Sequence, residues 1–327
     1  MALPSEMSLL EDTHSLGSAQ WTMARTMSGT KGDTMGTEAR PNSEYTRTWS
    51  PSGEIEFATL ADGTRLRYLK TGFGPTPLIL LHTVRTQLDH FQLVIPKLLQ
   101  AFTVYAIDLP GMGWSDITPG ARYTEPELRR AVVELLTALD VNDVVLAGES
   151  MGATVSLTAS TELEGRVRRV VAFNTYDYAR GVGRANRVAS IYVGGARVPA
   201  IGSVVTKMEN KPVLGIVLRG GLYDRSRLPR HYLAELRRVG RRRGYSRVAR
   251  EVFRNVESMI ASRALYGRVS VPVTLIYGEH DWSRLPEREA NLELVGGARS
   301  ILLPDTGHFA ALEQPDRVAK ILLANDA

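Results

Sequence analysis

The chain has 327 residues, 43% of them hydrophobic and 23% charged, which suits a globular protein with a large core. It contains no cysteine, so disulfides and thiolate metal sites are excluded and a reducing compartment fits. Its 40 Lys and Arg outnumber its 35 Asp and Glu for a net charge of +5, yet no nucleic-acid recognition motif accompanies the excess, so nucleic acid is not an expected partner.

Residues 1–53 are rich in Ser, Thr, Gly and Met and show no apolar period. They are expected to form a disordered extension. Glu6, Glu11 and Asp12 break any secretory pattern near the N-terminus. No apolar run approaches the roughly 18–20 residues that span a bilayer. A cytoplasmic protein without stable membrane insertion is expected.

From Glu54 strands and helices alternate. Glu54–Leu60 and Leu66–Thr71 flank the turn Ala61-Asp62-Gly63 and predict a hairpin. Pro77–His82 is a continuous apolar run, as in a strand buried on both faces. Leu88, Phe91, Ile95, Leu98 and Leu99 recur at helical spacing. Phe102–Ile107 is a strand, and Thr124 with Glu127 predicts a capping box for the helix that follows. Val144–Ala147 is a strand and Ala153–Thr161 a helix. Val167–Phe173, Val271–Tyr277 and Ser300–Leu303 are further strands, and Ala310–Leu323 is a closing helix. This alternation implies an α/β fold, a mostly parallel sheet with helices on both faces. The core is assigned to 54–175 and 270–327, and 176–269 to an inserted, mainly helical cap.

Val144–Gly152 reads VVLAGESMG, a buried strand running into Gly148-Glu149-Ser150-Met151-Gly152 before a helix. In a G-x-S-x-G turn between strand and helix the serine occupies a strained backbone and its hydroxyl projects from the sheet edge. The flanking glycines avoid collision across the turn. Ser150 is the candidate nucleophile.

A serine hydroxyl needs a base, and histidine suits that role near neutral pH. Of the six histidines, His14 lies in the extension, His82 and His90 in the first strand–helix unit, His231 in the cap, and His280 beside a better-placed acid. His308 follows the last strand in Asp305-Thr306-Gly307-His308-Phe309, at the strand end where such sites form. The acid that orients it is expected after the preceding strand, at Asp281 in Gly278-Glu279-His280-Asp281. Asp177, just past an earlier strand, is its main rival.

These segments, with Leu80-Leu81-His82, Asp108-Leu109-Pro110-Gly111-Met112-Gly113-Trp114-Ser115-Asp116, Gly307-His308-Phe309 and Glu313-Gln314-Pro315, resemble capped α/β-hydrolases of the esterase, lipase and carbon–carbon hydrolase type. The resemblance runs from Glu54 to the C-terminus. It implies the α/β-hydrolase fold and a Ser150-His308-Asp281 triad that cleaves an ester through an acyl-enzyme. No metal or organic cofactor is needed for that chemistry. The oxyanion hole would use the backbone N–H groups of Val84 and Met151. Where the family has His-Gly this chain has His82-Thr83, so Thr83 is a candidate to add its own hydroxyl. Serine at the elbow argues against epoxide hydrolases and haloalkane dehalogenases, which use a carboxylate nucleophile on a similar fold. Carbon–carbon cleavage of vinylogous diketone acids and a low-turnover ligand receptor are the alternatives.

The cap segment from Ala179 to Arg268 holds about twenty Lys and Arg against about five acids. A solvated basic face is the plain expectation, and attraction of an anionic substrate the sharper one. Arg85 follows the oxyanion strand and is a candidate to pair with a substrate carboxylate, against the plainer role of a structural contact. Among the apolar cap residues, Ile201, Val204, Val205, Val213, Leu214, Ile216, Val217 and Leu222 are expected mostly to pack the cap on the core. The expected partner is a small-molecule ester, with oligomeric state left open.

Overall fold

The computed structural model describes residues 44–163, 165–199, 201–207 and 212–324. The expected extension over 1–43 lies outside the described residues. Its last ten residues do not behave as expected. A short helix, α1 (Glu44–Trp49), is tied to the core by Thr46 Oγ1 and Trp49 Nε1, both donating to Asp89 Oδ1 at 2.8 Å. Tyr45 donates to Gln92 Oε1 at 2.5 Å. The correction has a plain cause: three side-chain donors meet buried acceptors far away in sequence, which a search for apolar periods cannot register.

The strands are β1 (Glu54–Thr59), β2 (Arg65–Thr71), β3 (Thr76–Leu81), β4 (Phe102–Ile107), β5 (Val144–Glu149), β6 (Val167–Phe173), β7 (Val273–Gly278) and β8 (Arg299–Leu303). They form one sheet in the order β1-β2-β4-β3-β5-β6-β7-β8. β1 and β2 are antiparallel, β2 is antiparallel to β4, and all later pairings are parallel. Side chains alternate across the sheet as the period of two demands. Ile79, Leu81, Val144 and Leu146 enter one core, and Leu78, Leu80, Val145 and Ala147 the other.

Helices α2 (Glu125–Ala138) and α3 (Met151–Ser160) cover the first of these faces. The predicted capping box at Thr124 is present. All ten residues of α3 are buried, which small side chains such as Gly152, Ala153 and Ala159 permit. On the other face the expected helix around Leu88–Leu99 is two short 3-10 turns, Leu88–Phe91 and Ile95–Lys97. Pro96 supplies no N–H for a continuous α-helix there. The closing helix is likewise broken into α11 (Ala310–Glu313) and α12 (Pro315–Leu323), with Pro315 in the first turn of α12. Between β7 and β8 lies α10 (Leu285–Leu294).

Between β6 and β7 the chain makes a helical excursion: α4 (Arg187–Arg197), α5 (Gly202–Lys207), α6 (Pro212–Arg219), α7 (Arg230–Val239), α8 (Tyr245–Arg254) and α9 (Val256–Ala261). Its arginines are not all a solvated face. Arg242 donates to Gly113 O and, at 2.7 Å, to Ser115 O, and Arg247 donates to Thr118 O at 2.6 Å. Trp114 carries Arg238 and Arg242 over its ring, with guanidinium carbons 4.7 and 5.5 Å from the centroid. Leu214, Val217 and Leu222 are buried as expected, whereas Ile201, Val204 and Ile216 point to solvent. No described helix is long and apolar enough to cross a membrane.

Candidate active site

β3 and β4 run one way across the sheet and β5 begins the other, so β3 and β5 flank the point where strand order reverses. A crevice opens outside the carboxyl ends of the strands at such a point. Ser150 sits there, between β5 and α3, with φ 61° and ψ −118°. That backbone is strained for a side chain bearing a Cβ. The neighbours enforce it. A Cβ on Gly148 would stand 2.4 Å from the Gly152 backbone, and one on Gly152 would stand 2.1 Å from Leu81 O. The first turn of α3 therefore packs directly on the end of β3.

Three predicted residues form one hydrogen-bonded line. Ser150 Oγ lies 2.7 Å from His308 Nε2, and His308 Nδ1 bonds Asp281 Oδ1. All three side chains are buried. Asp281 Oδ2 accepts from the Ser283 backbone N–H at 3.0 Å and from its hydroxyl. Burial alone would raise the Asp281 carboxyl, but His308 and Ser283 outweigh it and hold the group below the usual carboxylate value. The rival, Asp177, is turned elsewhere. It accepts from Tyr266 Oη at 2.5 Å and from Asn291 Nδ2 at 3.0 Å, and burial raises its carboxyl.

The loop after β3 carries the other predicted groups. His82 Nε2 accepts from Leu109 N–H at 3.0 Å, so Nδ1 is the protonated nitrogen that donates to Thr83 O at 2.8 Å. Burial pushes this imidazole down to about 4, which keeps it neutral and makes it a pin for the turn. Thr83 is fully buried, and its Oγ1 has no partner among the described residues. The left-handed residue of the turn is Arg85, at φ 62°, and not Thr83, so threonine replaces the family's glycine without positive-φ strain. Val84 is buried. Among the described residues neither the Val84 N–H nor the Met151 N–H has an acceptor. The Arg85 guanidinium lies 4.2 Å from the ring centre of Tyr245 at the start of α8. It is a contact between the loop and the helical excursion.

Asp108 explains the Asp-Leu-Pro-Gly-Met-Gly-Trp-Ser-Asp segment. Its carboxylate accepts from Leu88 N–H and Trp114 N–H, each at 2.7 Å, and from Arg67 Nε at 2.6 Å. Gly113, at φ 50°, leaves room for it, since a Cβ there would be 2.1 Å from Asp108 Oδ2. The segment is structural and joins two loops near the site.

Sequence reasoning missed several residues around the line. Trp282 stacks on His308, with centroids 3.8 Å apart and planes 15° apart. Asn174 donates to His308 O at 3.0 Å and accepts from Gly278 N–H at 2.8 Å, bridging two site loops. Glu149 binds His90 Nε2 through one oxygen and Ala311 N–H at 3.2 Å through the other. The only signal for these was adjacency: Glu149 precedes Ser150 and Trp282 follows Asp281. Among the described residues, Glu279, His280 and Asp305, all exposed, have ligand atoms within 4.8 Å of one another and form the group that could hold a metal. They flank the hydrogen-bonded line and do not enter it.

Residues 72–321 match the alpha/beta hydrolase family. The chain belongs to that family. It is 24% identical over 282 residues to haloalkane dehalogenase 2 of Mycobacterium bovis, covering 79% of this chain and 90% of that one. The crystal structure of wild-type Cfl2 from Burkholderia cenocepacia superposes with a TM-score of 0.72 at 24% identity, over 82% of this chain and 94% of that one. A meta-cleavage product hydrolase from Pseudomonas fluorescens superposes with a TM-score of 0.66 at 18% identity, over 82% and 96%. The family match supports hydrolase activity without naming the bond that is cleaved.

Proposed function

We propose that this α/β-hydrolase is a serine esterase in which the helical excursion acts as a cap over the Ser150 site. The observation that carries the reading is the 2.7 Å approach of Ser150 Oγ to His308 Nε2 from a backbone held at φ 61°. With Nδ1–H directed at Asp281, Nε2 is free to take the serine proton as Oγ attacks the ester carbonyl. The carbonyl oxygen becomes an oxyanion, which in this reading the N–H groups of Val84 and Met151, both without an acceptor among the described residues, receive. Losing one such donor typically costs about 10²–10³ in rate. His308 then gives the proton to the departing alkoxide. The acyl group remains on Ser150 until water, deprotonated by the same imidazole, releases the acid.

The test is hydrolysis of p-nitrophenyl acetate, butyrate and octanoate by the wild type and by Ser150→Ala. Loss of activity in the variant is expected, and the chain-length trend would size the acyl pocket. Activity that survives Ser150→Ala would remove the serine from the mechanism. A wild type inert on all three esters that cleaves a vinylogous diketone acid would replace ester hydrolysis with carbon–carbon cleavage.

A further inference from the structure

The cap turn Gly220–Asp224 rests on both loops that carry the base and the acid. Gly221 O accepts from His308 N–H at 2.6 Å, and Gly220 O accepts from Trp282 Nε1 at 3.3 Å. Tyr223 stacks on His280, next to Asp281, with centroids 4.4 Å apart. The fit has no slack. A Cβ on Gly221 would stand 2.5 Å from the Phe309 ring and 2.8 Å from Trp282, and one on Gly307 would stand 2.5 Å from Gly221 O. One side chain closes the arrangement. Glu313 accepts from Asp224 N–H through Oε1 at 2.8 Å and from Gly307 N–H through Oε2 at 2.7 Å.

We infer that Glu313 is a positioning residue: its carboxylate clamps the cap turn to the His308 loop, so that the seating of the cap fixes the imidazole against Ser150. The inference rests on the proposed role of Ser150 and His308. Both oxygens of Glu313 face backbone donors, so only the ionised carboxylate satisfies both. A protonated acid turns its O–H toward one of those N–H groups, and an amide turns an N–H₂ toward it. Burial nevertheless pushes this carboxyl up to about 7. Glu149 approaches from the end of β5, with His90 on its far side, and raises Glu313 further. Asp224 lies in the turn, its own carboxylate held by Ser226 and Arg227. His308 is on the loop that Glu313 holds. The clamp therefore loosens on acidification.

The experiment follows phosphonylation of Ser150 by a tagged fluorophosphonate, which needs the base but not the natural substrate. Wild type, Glu313→Gln, Glu313→Ala and Ser150→Ala are compared from pH 5 to 9, with KM for p-nitrophenyl butyrate measured alongside. Misplacement of a catalytic group by about 1 Å costs roughly 10²-fold. We expect labelling about 10²-fold slower in Glu313→Ala, a smaller loss in Glu313→Gln, which keeps one acceptor, and KM changed by less than about two-fold. The wild-type acid limb should carry an extra step of that smaller size near pH 7, where Glu313 titrates, and the step should be absent in Glu313→Gln. Wild-type labelling rates in both Glu313 variants would overturn the inference. Should Glu313→Ala fail to fold, a wild-type limb without that step and an unchanged limb in Glu313→Gln would overturn it equally. Labelling that survives Ser150→Ala would instead overturn the esterase reading, and the inference with it.

Discussion

Trp282 lies flat on His308, ring centroids 3.8 Å apart and planes 15° from parallel. Its neighbour Asp281 bonds the same imidazole at Nδ1. In the proposed mechanism the indole face becomes attractive when the imidazole gains charge on accepting the Ser150 proton. Such a contact is worth on the order of 1 kcal/mol, or roughly five-fold in rate. Trp282→Leu is therefore expected to lower kcat by about that factor on p-nitrophenyl butyrate. An unchanged kcat would show that the stack only fills space.

Ser150 holds a left-handed backbone that glycine would adopt freely. Ser150→Ala and Ser150→Gly should both be inactive, but they should differ in stability. Glycine relieves roughly 1 kcal/mol of backbone strain that alanine retains. Thermal unfolding of the two variants reads this difference directly. Equal midpoints would mean that the turn is not strained.

Asp281 lies on the loop after β7 and Glu313 ends α11, and their titrations act on stability with opposite sign. Asp281 is lowered from 3.8, so its contribution is present above that value and is lost as pH falls through the lower folded value. Glu313 is raised from 4.5 to about 7, so the folded state holds its proton longer than the unfolded chain does. Stability from Glu313 therefore falls as pH rises between those two values. Denaturant unfolding of wild type against Glu313→Gln should show that slope in wild type and its loss in the variant. A parallel pair of curves would contradict it.

Asp281→Asn keeps the shape of the acid but favours the wrong imidazole tautomer. The expected loss in kcat is on the order of 10⁴. Steady-state kinetics on the most active p-nitrophenyl ester would check this. A loss below ten-fold would point to another orienting group.

Arg85 is stacked on Tyr245, and Arg242 is bonded to two carbonyl oxygens of the loop that follows β4. Both therefore read as contacts that dock the helical excursion on the core loops. Arg85→Ala is expected to lower kcat/KM equally for neutral and anionic esters and to cost about 1 kcal/mol of stability. Arg242→Ala should cost more, roughly 1.5–3 kcal/mol, because charge-assisted bonds are lost. A selective loss on anionic esters in Arg85→Ala would restore a substrate carboxylate as its partner.

The sequence by itself determined the alternation of strands and helices, the elbow at Ser150, and the chain order of serine, acid and histidine. These are local or periodic properties. A buried strand must be apolar, and Gly148 and Gly152 must lack side chains because any Cβ would strike backbone. Only the tertiary structure decided between Asp281 and Asp177, since both follow strands, and the choice depends on which loop meets His308. It also decided that residues 44–49 belong to the folded core, that Pro96 and Pro315 divide two expected helices, and that Arg242 and Arg247 of the helical excursion bond the loop after β4. Glu313 and Trp282 acquire their roles in the same way. Their partners lie 89 and 26 residues away, at Asp224 N–H and on the His308 ring. Contacts between distant loops arise only when the sheet brings the strand ends together, and no spacing along the chain encodes them.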